Sequence, residues 1–303
     1  MQTAGKVVVK TIITAEEDRF NRAKREMYLL EMFHENRNIC NIINGSAVDA
    51  AHGAPARCAC ILPYYELGTV QTILENGKPE FTTQSNAISC LLLKHAVDMA
   101  KDVLSGLECM HKMRIVHRDI KPGNICVKLL SLKDEVRLQY IIIDLGAAVA
   151  IKPTSDSDTD EKSAEDSADQ LQAFTGQFTS LAGQQMPLGT PAFMSPEHIH
   201  PKKTVDGRAD MFSLGVTMYV CLCGRYPFVQ PRSCPDAKML AFELIQRYAM
   251  EAEADPLEIL DSKAQPLAKE EVASVIRKSL RKLRTERYRK ADNMKKHLER
   301  VDR

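Results

Sequence analysis

Apolar residues recur at helical spacing in two long stretches of the chain. In residues 16–34, Met27, Leu30 and Phe33 lie three positions apart, so this stretch predicts a helix with one buried face. Residues 86–112 predict a longer helix, whose apolar stripe consists of Leu92, Ala96, Met99, Val103, Leu107 and Met110. Such a stripe is typical of helix packing, so it predicts core rather than a functional site.

Other stretches follow different patterns. Residues 58–62 predict a buried strand, and an apolar run at residues 140–143 leads directly into Asp144. Residues 152–186 form a long polar insertion that is strongly acidic between residues 153 and 170 and has no periodicity. We expect this insertion to be disordered, because it offers too few apolar side chains to offset the entropy of ordering.

The end of the chain is basic, with many Lys and Arg between residues 277 and 300. Ile276, Leu280 and Leu283 in the same stretch predict an amphipathic closing helix, so the charges are expected on its solvated face. The whole chain has a net charge of only +1, which gives no general attraction to nucleic acid or membrane. No apolar run reaches the ~18 residues that a membrane span needs.

Cysteine and histidine residues do not predict a metal site. The nine cysteines are scattered without zinc spacing. We expect them to be reduced and packed as small apolar side chains, which favours a cytoplasmic location, with the nucleus as an alternative. His198 and His200 are expected at a loop surface rather than as metal ligands.

Candidate chemistry begins with residues 117–124, which read H-R-D-I-K-P-G-N. This segment resembles the catalytic loop of protein kinases, H-R-D-x-K-x-x-N. The resemblance implies that Asp119 accepts the proton of a substrate hydroxyl and that Lys121 neutralises the transferred γ-phosphoryl group. It also implies that Asn124 holds Mg²⁺.

Further motifs follow in the order found in that family. D-L-G at residues 144–146 resembles the metal-binding D-F-G motif, so Asp144 becomes the second predicted Mg²⁺ ligand. Residues 189–197, G-T-P-A-F-M-S-P-E, resemble the end of a kinase activation segment. D-M-F-S-L-G and G-R-Y-P-F follow as in kinases, and Arg287 stands where the family has an Arg that pairs with Glu197.

Upstream residues resemble the part of a kinase that holds the ATP phosphates. Residues 7–10, V-V-V-K, resemble the V-A-I-K strand, and Glu26 stands where the family has its partner glutamate. The resemblance implies that Glu26 holds Lys10 extended toward the α- and β-phosphates. Taken alone, each would read as an ordinary surface charge.

The segment after the strand at residues 58–62 resembles the kinase hinge. The resemblance implies that Leu62 is the gatekeeper beside adenine. The carbonyl of Pro63 and the N–H of Tyr65 would then bind the adenine edge, while Cys126 would pack beneath the ring.

A glycine-rich loop would be expected before the lysine, but only nine residues precede Lys10 and only Gly5 among them is glycine. We consider three explanations: an incomplete gene model or truncated product, a kinase that works without this loop, or a pseudokinase that no longer binds nucleotide. The first is preferred, because the other residues of the motif set are present.

The activation segment also suggests regulation. Arg118 precedes Asp119, and in the family such an arginine receives a phosphate from the activation segment. Thr175, Thr179, Ser180 or the acidic insertion could supply that negative charge. Thr190 is expected to hydrogen-bond Asp119 and Lys121, as in Ser/Thr kinases.

The resemblance implies an α+β, two-lobed kinase fold over residues 1–303. Its parts would be an incomplete small lobe (1–62), a hinge (63–68) and a helical large lobe (69–303). The implied function is transfer of the γ-phosphoryl group of Mg-ATP to Ser or Thr of protein substrates by a monomer, with an upstream activating kinase as a further partner. The alternatives are a pseudokinase scaffold and a kinase of small-molecule hydroxyls.

Overall fold

The computed structural model describes residues 6–51, 53–85, 88–132, 135–151, 189–199, 205–227 and 270–300. In chain order its strands and helices are β1 (Val7–Thr14), α1 (Glu17–Met32), β2 (Asn44–Val48), β3 (Ala56–Pro63), α2 (Val70–Asn76), β4 (Thr82–Ser85), β5 (Ile88–Leu91), α3 (Leu93–Lys112), β6 (Ile115–Val116), β7 (Ile125–Leu132), β8 (Glu135–Ile142), β9 (Val149–Ala150), α4 (Pro196–Ile199), α5 (Arg208–Cys223), α6 (Glu270–Ser279) and α7 (Ala291–Glu299). The acidic insertion lies outside the described residues.

The first three strands form an antiparallel sheet in the order β1-β3-β2. The register places Lys10 of β1 opposite Cys60 of β3. Helix α1 begins with Glu17 and Asp18, whose charges suit the positive end of a helix. Its Phe20 packs against the sheet, which places the predicted Lys10 strand and Glu26 helix side by side.

Most of the remaining residues pack around α3 and α5, whose apolar side chains form one large core. Five residues of the predicted apolar stripe are fully buried in α3, namely Ala96, Met99, Val103, Leu107 and Met110. The sixth, Leu92, is partly buried and lies just before the helix. The helix begins later than predicted, however, because residues 82–91 form the hairpin of β4 and β5. This pairing satisfies the backbone groups of the strands and buries Cys90 and Leu91, which a longer helix could not do in the same way.

The end of the chain forms two helices rather than the one that was predicted. Helix α6 ends at Ser279, a 3-10 turn covers Arg284–Glu286, and α7 follows. Leu280 is buried, but Leu283 is exposed, which contradicts its place on a buried face. The chain turns because Arg287 points inward, where its guanidinium donates to the carbonyl oxygens of residues 281 and 282.

Short ladders hold the loop at residues 117–124. Strand β6 immediately precedes this loop and pairs with β9, while β7 follows it and pairs with β8. Both ends of the loop are thereby fixed to paired strands, which is the support that a precise site needs. No helix in the described part of the chain is long and apolar enough to cross a membrane.

Candidate active site

A buried carboxylate anchors the backbone of the loop at residues 117–124. Asp210, at the start of α5, accepts hydrogen bonds from the N–H groups of His117 (2.9 Å) and Arg118 (2.8 Å). Its carboxylate also lies 2.8 Å from His111 Nε2. Burial by itself would raise the pKa of Asp210, but the hydrogen bond from His111 and the other nearby donors lower it below its usual value.

Three predicted site residues, Lys121, Asn124 and Thr190, bind the side chain of a fourth, Asp119. Its Oδ1 accepts the N–H of Thr190 at 2.8 Å, and its Oδ2 accepts Lys121 Nζ and Asn124 Nδ2, each at 2.8 Å. Lys121 Nζ also donates to Thr190 Oγ1 at 2.6 Å, which joins the loop to the end of the activation segment. These bonds hold the nearly buried carboxylate in one orientation, as a general base requires.

The predicted pair of Lys10 and Glu26 is present and bidentate. Lys10 Nζ lies 2.6 Å from Oε1 and 2.8 Å from Oε2 of Glu26, and 3.3 Å from Asp144 Oδ1. Burial by itself would lower the pKa of Lys10, but the two carboxylates raise it above its usual value. The ammonium therefore stays charged and points into the space beside Asp144.

The backbone is strained at two positions of this site. Arg118 has φ 67° and Asp144 has φ 61°, both in the left-handed region that side chains other than glycine rarely adopt. Leu145, which replaces the phenylalanine of D-F-G, is fully buried and fixes the turn after Asp144. Such conformations cost about 1–3 kcal/mol each and persist where surrounding contacts impose them, often at functional sites.

Magnesium would find suitable donors at Asn124 and Asp144. The amide of Asn124 donates through Nδ2 to Asp119, which leaves its Oδ1 available as a ligand. Although burial alone raises the pKa of Asp144, Lys10 and the N–H of Gly146 lower it below the usual value, so its carboxylate is charged. Oxygen ligands of this kind suit a hard cation, whose remaining ligands would be phosphate oxygens and water.

The predicted adenine-binding residues lie at the end of β3 and the start of β7. Leu62 and Tyr65 are partly buried against the large core. The Tyr65 hydroxyl lies 3.8 Å from Cys40 Sγ. Cys126 is buried, and burial raises the pKa of its thiol to about 12, so it packs as a neutral group. The bridge between residues 69 and 126 joins these two segments.

The structure also corrects one prediction and adds residues that sequence reasoning missed. His198 was predicted at a loop surface, but it is buried, and both ring nitrogens lack a hydrogen-bond partner within the described residues. His200 lies outside those residues. Arg25, next to Glu26, was not singled out, yet it is buried and its Nη2 donates to the carbonyl of Gly146 at 3.3 Å. His111, which binds Asp210, was missed because a lone histidine late in a helix gives no specific signal.

A second predicted ion pair fixes the end of the activation segment. Arg287 donates to both carboxylate oxygens of Glu197, at 2.7 and 2.9 Å, and both side chains are buried. The same guanidinium lies over the ring of Phe212 in α5. Glu197, and with it the segment that carries Thr190, is thereby held against the large core.

The site contains a fixed carboxylate, Asp119, which lies beside a lysine and an asparagine. It also contains a Lys–Glu pair and a second carboxylate, Asp144. Together these groups define a protein kinase site. The chain belongs to the protein kinase family, because the family model for the protein kinase domain matches residues 1–298. It therefore carries the α+β fold of that domain.

Similar curated proteins are protein kinases, several of them named as serine/threonine kinases. The chain is 32% identical over 164 residues to the DNA damage response protein kinase DUN1 of Saccharomyces cerevisiae, which covers 50% of this chain and 26% of that protein. It is 31% identical over 170 residues to serine/threonine-protein kinase TOS3 of the same yeast (55% and 26%). It is 33% identical over 127 residues to serine/threonine-protein kinase STK11 of Gallus gallus (42% and 22%). The matches thus span about a quarter of the length of these relatives.

Proposed function

We propose that this protein transfers the γ-phosphoryl group of Mg-ATP to serine or threonine hydroxyls of protein substrates. The observation that carries the proposal is the four-residue arrangement around Asp119, in which Lys121 and Thr190 contact the same carboxylate. It is the arrangement that an incoming hydroxyl and a transferring phosphoryl group both need.

In this mechanism each residue contributes position or charge. Asp119 orients the acceptor hydroxyl and takes its proton, and Lys121 neutralises the negative charge that spreads over the transferring group. Lys10, held by Glu26, binds the α- and β-phosphates. Asn124 and Asp144 would hold Mg²⁺, which would supply positive charge to offset that of the ATP phosphates.

Adenine would bind at residues 63–68, which we propose as the hinge between a small lobe (1–62) and a large lobe (69–303). Leu62 lies at the end of β3 as the gatekeeper, and Cys126 closes the site from the large lobe. The eight cysteines of the described residues are free thiols, which supports our proposal of a reducing compartment, the cytosol or the nucleus.

The proposal is tested with the purified chain, [γ-³²P]ATP, Mg²⁺ and two general substrates, casein and myelin basic protein. We expect label on phosphoserine or phosphothreonine and a rise in the melting temperature that requires ATP and Mg²⁺ together. Asp144→Asn should remove both effects. A chain that neither labels substrate nor shifts its melting temperature with Mg-ATP would instead be the alternative, a pseudokinase scaffold.

We further propose that an anion on the activation segment regulates the site through Arg118. Arg25 is buried and Arg118 is partly buried, and each donates to a backbone carbonyl, of Gly146 and Ala147 respectively. Loss of hydration and the neighbouring charge of Arg25 lower the pKa of Arg118 to about 10. Two neighbouring guanidinium groups that repel each other favour a phosphate or carboxylate between them.

Thr175, Thr179 and Ser180 are the candidates for phosphorylation by an upstream kinase, and they lie outside the described residues, as does the acidic insertion. Replacing all three by Ala and deleting residues 154–170 should lower kcat. A chain of the same activity after both changes would contradict this regulation while leaving phosphoryl transfer itself intact.

A further inference from the structure

Positive charge is concentrated at the end of the chain, outside the candidate active site. Residues 270–300 contain eleven Lys and Arg but only five Asp and Glu, whereas the whole chain has 41 against 40. A surface with this excess attracts anions and increases their local concentration. The position of these cations therefore matters more than their number.

Several of them line one concave surface between α6 and α7. This surface, which we call the α6–α7 groove, has a volume of about 530 Å³ and is lined by Lys278, Tyr288, Arg289, Lys296, His297 and Arg300, among others. No Asp or Glu from the described part of the chain belongs to its lining. Carboxylates outside the lining pair with two of its cations, Arg287 and Lys296.

Two of these cations have no ion pair within the described residues. Lys278 is exposed and lies over the ring of Tyr288, with its Nζ 4.6 Å from the ring centroid. Arg300 is exposed at the end of α7. Lys296, by contrast, pairs with Asp292 at 2.7 Å. Lys278 and Arg300 are thus the charges available to a ligand.

His297 lies close to the positive charges of the groove, and its pKa is sensitive to them. The Tyr288 hydroxyl and His297 Nδ1 are 2.6 Å apart, which fixes the imidazole at the groove wall. Burial, together with the charges of Lys278 and Arg300, lowers the pKa of His297, and Glu271 opposes this only in part. An anion bound between these groups would relieve the repulsion and raise the pKa of His297.

The surface continues past Lys278 into a second concavity of about 470 Å³, whose lining includes Arg281 and Glu286. An elongated surface suits an extended chain rather than a single small anion. The acidic Glu286 disfavours a uniform phosphate backbone, which would meet a like charge there. A peptide whose acidic side chains are spaced by neutral ones suits both concavities, because it can pair with the cations of the α6–α7 groove and place a neutral residue beside Glu286.

We propose that the α6–α7 groove binds an acidic peptide segment of a partner protein. Lys278 and Arg300 are its main anchors, and Tyr288 and His297 form the wall between them. This binding does not depend on phosphoryl transfer, so the Asp119→Asn chain should bind the same peptide equally well.

The test uses a fluorescein-labelled peptide of six Glu-Gly repeats and fluorescence anisotropy with the full chain at physiological salt. The double variant Lys278→Glu, Arg300→Glu should weaken binding at least tenfold. The control Lys290→Glu, Lys295→Glu changes the net charge equally but lies outside the groove lining, and it should weaken binding less than threefold. At physiological salt, charge interactions are screened over about 8 Å, so charges outside the groove lining should affect the bound peptide less than Lys278 and Arg300 do.

Equal weakening by both double variants would overturn the proposal, since binding would then be general charge attraction. Absence of binding, or tighter binding of a twelve-residue oligothymidylate that depends on Lys278 and Arg300, would also overturn it. In the wild-type chain, saturation with the peptide should raise the pKa of His297 measured by NMR, with His297→Gln providing the assignment. An unchanged pKa would show that the peptide binds elsewhere.

Discussion

The candidate active site draws its charged groups from two regions that are built differently. The sheet of β1, β2 and β3 with the start of α1 supplies Lys10, and the small apolar cluster beneath it consists of Phe20, Ala23, Ala56 and Cys58. The region around α3 and α5 supplies Asp119, Asn124 and Asp144 and contains a single large core. The residues of one site are therefore supported by a small apolar cluster in the sheet region and by a large buried core in the region around α3 and α5.

Exposed apolar side chains also distinguish the sheet region from the region around α3 and α5. Val7, Val8, Val9 and Ile13 of β1 are all exposed. Within the described residues β1 pairs only with β3, so its other edge carries no strand. Asp119, by contrast, sits on a loop whose backbone is bound by the buried Asp210. We infer that effects on chemistry and on folding can be separated by substitutions in the large region. The position of Lys10, by contrast, depends mainly on its ion pair with Glu26.

The largest expected effect is that of Asp119→Asn in the large region. Loss of the proton acceptor should lower kcat about 10²–10⁴-fold, because a general base typically contributes that much. The amide oxygen can still accept from Thr190, but the amide nitrogen then faces the donors of Lys121 and Asn124, so the melting temperature should fall modestly while the chain still folds. Initial rates and thermal unfolding together check this, and a chain that loses activity only by unfolding would contradict the separation.

Breaking the buried Glu197–Arg287 pair should instead affect folding. Glu197→Gln leaves the Arg287 charge uncompensated inside the core, which should lower the free energy of unfolding by about 3–5 kcal/mol. Glu108→Gln is the matched control, because Glu108 pairs with the exposed Lys112 and such pairs contribute only about 0.3–0.5 kcal/mol. Urea unfolding of both variants measures the difference.

His198 predicts acid sensitivity in the large region. Burial is the main cause that lowers its pKa from 6.5 to about 4, and Arg118 adds to it. The unfolded chain therefore takes up a proton as the pH falls below 6.5 while folded His198 stays neutral. This contribution to the free energy of unfolding is present above pH 6.5 and is lost toward pH 4, by up to about 3 kcal/mol.

His198→Leu should remove this contribution, since leucine takes up no proton in either state. Urea unfolding at pH 7 and pH 5 should show a smaller pH dependence than the wild type. If His198→Leu and the wild type lost stability equally between the two pH values, His198 would not be the sensitive group.

Breaking the ion pair of the sheet region should reduce stability much less than breaking the buried Glu197–Arg287 pair. Glu26→Gln removes the strongest partner of Lys10, but Lys10 is 37% exposed, so the free energy of unfolding should fall by no more than about 1 kcal/mol. The KM for ATP should still rise about tenfold, because Lys10 is no longer held toward the phosphates. A variant with normal KM and normal stability would break the comparison between the regions.

The sequence alone was sufficient to propose the chemistry and to predict much of the fold. Phosphoryl transfer needs particular residue types in a fixed order, so Asp119, Asn124 and Asp144 could be named from motifs before their contacts were known. The helical stripe of α3 followed from the spacing of apolar residues, and the Lys10–Glu26 and Glu197–Arg287 pairs followed from the order of motifs. These features depend on local pattern or on chemistry that admits few alternatives.

Other features were decided only by the tertiary structure, because at these positions long-range contacts override the local sequence pattern. The hairpin at residues 82–91 replaces the first turns of the predicted helix because strand pairing satisfies its backbone. The closing helix is broken because Arg287 reaches Glu197, which lies 90 residues earlier in the chain. The burial of His198 and the approach of Arg25 to Arg118 likewise depend on elements that meet only in the folded chain, and no local pattern in the sequence marks them.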